Sequence, residues 1–205
     1  MIYVRGADSS IVKALESLCP IIPIPRGERM PVNPRPRALV GPESRYLFCV
    51  GMNHQKPLRE QTDEEIAETM MVTAFNVIKE CDRLLADNPM ARICVVGSES
   101  AFTWSFDGAY AAAKAALHCY VETKRLGPSQ QLVCVAPTCV IGTRMNKRRN
   151  PDGVRALESR VQKHPKRRWL SPSEVAEMIH FLLCIDKGYT TGVVIRMNGG
   201  EHCWR

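Results

Sequence analysis

Two hydrophobic periods alternate along the chain. Short unbroken apolar runs occur at IYV (2–4), YLFCVG (46–51), RICVV (92–96), LVCVAP (132–137) and VVIRM (193–197), and several end on glycine or proline. Runs of this length, rich in β-branched residues, predict strands buried on both faces, the habit of parallel sheets. Between them the apolar positions return every three or four residues. In SSIVKALESL, Ile11, Ala14, Leu15 and Leu18 carry that period, and Ser9 or Ser10 can cap the helix start. In TDEEIAETMMVTAFNVIKECDRLLAD, Thr62 with Glu65 forms a capping box and the helix is expected to reach about Ala86. The alanine-rich stretch GAYAAAKAALHCYVETKRL (108–126) predicts a third helix, and SPSEVAEMIHFLL a fourth over 172–183. Strand and helix in alternation predict an α/β fold with a mainly parallel sheet in one domain spanning 1–205.

One region breaks the alternation. Residues 19–44 contain prolines at 20, 23, 25, 31, 34, 36 and 42, and proline supplies no backbone donor. This predicts an extended connection with at most a short edge strand at 21–24. A second irregular stretch, 144–168, holds ten Lys/Arg against two Asp/Glu, a local excess of +8 in a chain of net charge +7. It is expected to be partly helical over 153–162. Such a cluster attracts anions, but no interleaved aromatic residues or nucleic-acid module accompany it, which argues against nucleic acid as a partner.

Composition narrows the class. Of 205 residues, 45% are hydrophobic and 24% charged, a globular balance, and no apolar run approaches the roughly 20 residues of a membrane span. MIYVRGADSS lacks the features of a secretory signal, so a cytoplasmic protein is the expectation. The nine cysteines are scattered without a Cys-x-x-Cys pair, and Cys49, Cys94, Cys134 and Cys184 sit in apolar runs. These read as reduced core thiols. With no ligand spacing evident between them and the five histidines, no metal is expected.

Candidate chemistry lies on the 108–126 helix. Tyr110 and Lys114 stand four residues apart and therefore share a face. A cation beside a phenol is expected to lower the phenol's pKa, giving an acid/base pair.

The serine of ICVVGS, then Tyr110-Ala-Ala-Ala-Lys114, VAPTCVIGT, SPSEVAEMIHFLL and YTTGVVIRMNGG follow one another in this order. That succession resembles the short-chain dehydrogenase/reductase family over nearly the whole chain. The resemblance implies a Rossmann-like, doubly wound sheet and NAD(P)-dependent oxidoreduction of a carbonyl or alcohol. It assigns Tyr110 as the proton donor or acceptor at the substrate oxygen. Lys114 is implied to bind the nicotinamide ribose, and Ser98, with Ser100 as second choice, to orient the substrate. Pro137, Thr138 and Thr143 would lie along the nicotinamide. Gly6, Ser10 and Val12 align with the three glycines of the pyrophosphate turn, Gly51 with the glycine ending the next strand, and Thr73 with an asparagine of the proton relay. A homodimer or homotetramer through the helices at 64–86 and 110–126 is also implied, with 144–168 as a lid over a small, anionic substrate.

Departures are concentrated in the first half. Ser10 and Val12 carry side chains where the family has glycine, and 19–44 is too short for the two strands and helix usual there. Arg26 or Arg29 could meet a ribose 2′-phosphate, against the simpler reading of solvated loop arginines. Two functions therefore stand side by side: an NAD(P)-dependent oxidoreductase, and a protein of the same fold that has lost dinucleotide binding and serves as a binding or regulatory subunit.

Overall fold

Six parallel strands form one sheet in the order β2-β1-β3-β4-β5-β6. The structure is a computed structural model and describes residues 1–31, 44–103, 105–147 and 151–201, with the backbone alone for 147 and 151–154. The strands are β1 (Ile2–Arg5), β2 (Ile21–Pro23), β3 (Ser44–Phe48), β4 (Ala91–Val96), β5 (Gln131–Pro137) and β6 (Val193–Met197). The expected strands are all present, and β2 at Ile21–Pro23 is the short edge strand anticipated within 21–24. The YLFCVG run differs at its end: β3 stops at Phe48, so Cys49, Val50 and Gly51 leave the sheet. Prolines 34, 36 and 42 lie outside the described residues.

Alternation along the strands feeds two cores. Tyr46, Phe48, Ile93, Val95, Leu132 and Cys134 point to one face. That face is covered by the long helix α2 (Asp63–Met70) with its continuation α3 (Asn76–Asp87), and by α5 (Gly108–Thr123). Leu47, Cys94, Val133 and Val135 point to the other, against α1 (Ser10–Glu16) and α8 (Pro172–His180). Full burial of residues such as Leu84, Leu117 and Ile179 contributes about 1.5–3 kcal/mol each. Of the four cysteines read as core thiols, Cys94 and Cys134 are buried, while Cys49 and Cys184 are half-buried.

The caps are local. Thr62 and Glu65 make the predicted box, Ser171 and Glu174 make a second one, and Ser9 rather than Ser10 caps α1. A five-residue π-helical turn joins α2 to α3 at Met71–Phe75, and a second one follows α8 at Phe181–Ile185. The described residues also form the short α4 (Ser100–Thr103) and α6 (Arg144–Lys147) and the longer α7 (Pro151–Lys163), which covers the helix expected at 153–162. No described helix is long and apolar enough to cross a membrane.

Candidate active site

The carboxyl ends of β3 and β4 and the first turns of α5 meet at one place. Asp107 caps α5, its side chain accepting from the Tyr110 amide. Alanines at 109, 111 and 113 let the helix lie close against the sheet and are all buried. Lys114 is thereby carried into the interior, only 2% exposed. Its ammonium donates to the carbonyl oxygens of Val50 at 2.8 Å and Val96 at 2.6 Å. Val50 can accept because its segment has left the sheet. An ammonium carries three protons, so one N–H remains for a further acceptor.

Tyr110 sits on the same face, with Lys114 Nζ 5.7 Å from its ring centroid. Gly51 closes the group: a Cβ there would lie 3.3 Å from the Tyr110 ring and 3.6 Å from Lys114 Nζ. Ser98 follows β4. Its Oγ accepts from the Ser100 amide at 3.2 Å and its own amide donates to His118 Nε2 at 3.3 Å. The structure therefore assembles Ser98, Tyr110, Lys114 and Gly51, with Ser100 turned to supporting Ser98.

The electrostatics correct one expectation. The Tyr110 phenol is not lowered towards neutrality by Lys114 but pushed up to about 12, first by burial, with the Ser98 hydroxyl pulling the other way. Removing a phenolate from water costs more here than a lysine across the ring returns. Burial acts on the lysine as well and brings its pKa down to about 8.

Thr73 also departs from its expected role. Its hydroxyl accepts from the Met52 amide at 2.9 Å and donates to the Met52 carbonyl at 3.3 Å, so both capacities are engaged in holding a loop. Pro137 is buried at the end of β5, and Thr138 donates to Glu201 at 3.2 Å. Thr143 accepts from the Asn146 amide at 3.4 Å, at the start of α6. In the 144–168 segment, Arg160 pairs with Glu201 at 2.6 Å and Arg168 with Glu174 at 2.6 Å, so part of the expected positive patch is neutralised. A cavity of about 450 Å³ lies along α7, lined by Ala156, Ser159, Arg160, Lys163 and Glu201. Arg148 and Arg149, read as part of the lid's charge, lie outside the described residues.

Three supporting residues escaped the sequence reading. Asp107 is 4% exposed and accepts from the amides of His54 (2.8 Å), Gln55 (3.1 Å) and Tyr110 (3.0 Å) and from Gln61 Nε2 (2.9 Å). It ties the loop after β3 to the first turn carrying Tyr110. Its signal was available as an aspartate directly before a glycine–alanine helix start. His118 packs against Phe102 with ring centroids 4.8 Å apart, and burial with the nearby Lys114 and Arg196 charges lowers its pKa to about 4. Glu99, 2% exposed, pairs with Arg196 and accepts from Asn198 Nδ2 at 3.1 Å, fastening the serine loop to the end of β6. Neither had a local signal.

The family model described as enoyl-(acyl carrier protein) reductase matches residues 46–202. The chain belongs to the short-chain dehydrogenase/reductase family. Among curated relatives, acetoacetyl-CoA reductase of Allochromatium vinosum is 27% identical over 168 residues, 78% of this chain and 67% of that protein. The 3-oxoacyl-[acyl-carrier-protein] reductase MabA of Mycobacterium bovis is 28% identical over 172 residues, covering 78% and 66%. The alignments thus span about two thirds of the length of these short-chain reductases. Among solved structures, a 3-oxoacyl (acyl-carrier-protein) reductase from Agrobacterium tumefaciens with NADP bound superposes with a TM-score of 0.77 at 18% identity, covering 97% of this chain and 93% of that one. A short-chain dehydrogenase/reductase from Burkholderia thailandensis gives 0.79 at 18% identity, covering 98% and 92%.

Family members use NAD(P), and the residues around Lys114 fit such a cofactor. The remaining Lys114 N–H, the open face of Gly51 and the Ser98–Tyr110 pair provide donors beside exposed space. In the turn after β1, Gly6 has φ +96°, and a Cβ there would overlap the Cys49 carbonyl, so this glycine is required. Ser10 Oγ is buried near the turn without a partner. Val12 is fully buried in the α1 core, filling the space between helix and sheet that the third glycine leaves in the family.

Proposed function

We propose that this protein is an NAD(P)-dependent oxidoreductase acting on a carbonyl or alcohol, in the reductive direction on a carbonyl. The observation that carries the reading is Lys114, drawn fully into the interior by two backbone carbonyls yet keeping one N–H beside Tyr110 and Gly51. A buried lysine costs stability, and such groups gather at functional sites.

When bound, the nicotinamide cofactor supplies the hydride. Lys114 would hold the ribose through its free N–H, with Gly6, Ser10 and Gly51 along the backbone of the cleft and Pro137, Thr138 and Thr143 at its far wall. Ser98 Oγ orients the substrate carbonyl oxygen. Tyr110 Oη holds the proton which that oxygen needs as it becomes an alkoxide. A phenol with a pKa near 12 stays protonated at neutral pH and is still a far stronger acid than an alcohol, which suits proton donation. The named activities of the relatives make a 3-oxoacyl thioester the first substrate class to try. Its acidic carrier or coenzyme agrees with the Lys163 side of the α7 cavity. Following NADPH and NADH oxidation with acetoacetyl and longer 3-oxoacyl thioesters tests this. Turnover that Tyr110→Phe abolishes is the expected result, and activity equal in Tyr110→Phe removes the reading.

Val12 and the three-residue β2 favour a second reading, a subunit of this fold that binds no dinucleotide. For association, Met71 and Phe75 are exposed four residues apart on the long helix, consistent with a homodimer or homotetramer packed through that helix and α5.

A further inference from the structure

A cluster of soft ligands stands at the opposite end of the sheet from Tyr110. Cys19 follows α1 and is separated from β2 by Pro20, at the amino ends of the parallel strands. His180 ends α8, and Cys184 lies in the π-helical turn after it. The ligand atoms of these three residues all lie within 4.8 Å of one another, and all three residues are half-buried. His180 and Cys184 stand four positions apart, an interval that places both on one helix face. The expectation of no ligand spacing overlooked it, because the third member, Cys19, lies in a distant part of the sequence.

Both arms of the cluster are fixed. The Cys19 amide donates to the Leu15 carbonyl at 3.1 Å, and the next residue's carbonyl accepts from the Ile2 amide at 3.0 Å, anchoring the turn to α1 and β1. Around Cys184, Arg45 Nε donates to the Leu183 carbonyl at 2.7 Å, and Arg92 donates to the carbonyls of Leu182 and Asp186 at 2.8 and 2.7 Å. Two guanidiniums from β3 and β4 thus hold the π-helical turn against the sheet. The side chains meet where α1 and α8 pack, and both cysteines border the apolar core of that face.

We propose that Cys19, His180 and Cys184 bind a zinc ion that clasps α1 to α8. Two thiolates and an imidazole form a donor set that selects a borderline-soft d¹⁰ cation over magnesium or calcium. Two thiolates also neutralise a divalent charge, so the complex adds no net charge beside Arg45. Zinc takes four ligands, and three from the protein leave the fourth position to water. Ligand atoms within 4.8 Å need only small side-chain rotations to reach the roughly 2.0–2.3 Å bond lengths of zinc. No bond is formed between the two sulfurs and no electron changes hands; the thiols release their protons to solvent as the metal enters. The clasp fixes the helix behind Gly6 and is independent of the proposed oxidoreductase activity.

The test uses the full chain, freed of metal with a chelator and kept reduced with a phosphine. Zinc competed against a chromogenic chelator is expected to bind one per chain, and cadmium to give the ultraviolet band of thiolate ligation. Zinc should raise the thermal midpoint and protect Cys19 and Cys184, but not the exposed Cys119, from alkylation read by mass spectrometry. C19S and C184S remove a ligand and should weaken binding by more than the about 100-fold that even outer partners can cost. H180Q, on a half-exposed helix end, keeps the fold and should weaken it as well; C119S should leave it unchanged. Zinc binding unaltered in C19S/C184S, no binding by the wild-type chain, or recovery of the metal-free chain only as a Cys19–Cys184 disulfide would each overturn the proposal.

Discussion

Asp107 offers the most discriminating perturbation, because two explanations of the residue predict different outcomes. If it merely caps α5, asparagine replaces it at no cost, since asparagine is as good an N-cap as aspartate. The geometry says otherwise. Oδ2 accepts from two backbone amides, His54 and Gln55, and Oδ1 accepts from Gln61 Nε2 and the Tyr110 amide. All four partners are donors, so only a group with two acceptor oxygens satisfies them. Asp107→Asn puts an NH₂ against one pair whichever way the amide turns. Two donors are then left facing a donor at a site 4% exposed, and each orphaned group costs about 1–3 kcal/mol. A loss of about 2–6 kcal/mol is expected, and in a domain of this size each kcal/mol moves the thermal midpoint by about 2–4 °C. Asp107→Ala removes the cap as well and should cost about 1 kcal/mol more. Differential scanning calorimetry of the three proteins reads this directly. An asparagine variant that melts within a degree or two of wild type, with only the alanine variant destabilised, would reduce Asp107 to an ordinary cap and refute its role as the tie between the loop and Tyr110.

Tyr110→Phe should lower turnover by about 10²–10⁴-fold while leaving the thermal midpoint nearly unchanged, because only a proton donor is lost. His118 is held neutral, its pKa near 4 against an ordinary 6.5. Between those values the unfolded chain binds a proton that the folded one does not, so stability falls as pH drops through that window, by about 1–2 kcal/mol between pH 6.5 and 5. Urea melts should show that slope in wild type and not in His118→Gln; equal slopes would remove the assignment. Gly97→Ala places a methyl on His118 Nε2 and Cys134 Sγ, and overpacking of this kind should cost about 3 kcal/mol, seen as a lowered urea midpoint.

The parts of this molecule set by local pattern were readable without coordinates. The apolar run at 92–96, the first half of the run at 46–51 and the capping box at Thr62 report short-range physics, and they appear where expected. The cluster of Ser98, Tyr110 and Lys114 was readable for a different reason: Tyr110 and Lys114 lie one helical turn apart, and Ser98 closely precedes them. What escaped depends on long-range approach. The capture of Lys114 by the Val50 carbonyl requires β3 to end at Phe48, which a continuous YLFCVG run conceals. The rise of the Tyr110 pKa comes from burial, and burial belongs to the packed fold rather than to a four-residue interval. Glu99 meets Arg196 across 97 residues, and Cys19 meets Cys184 across a longer span. The shortened adenosine side was visible as prolines and missing glycines, and Val12 shows how the third position tolerates its side chain: it is fully enclosed in the α1 core.

Dinucleotide binding by the Lys114 site is the point on which the functional reading turns. Calorimetric titration of NADPH and of NADH into the wild-type chain and into Lys114→Met tests it without requiring the substrate. The expected result is saturable one-to-one binding of at least one cofactor, weakened about tenfold or more when the ammonium's hydrogen bond to the ribose is lost. Absence of binding of either nucleotide at millimolar concentration by a folded wild-type protein, or equal affinity in Lys114→Met, would contradict it.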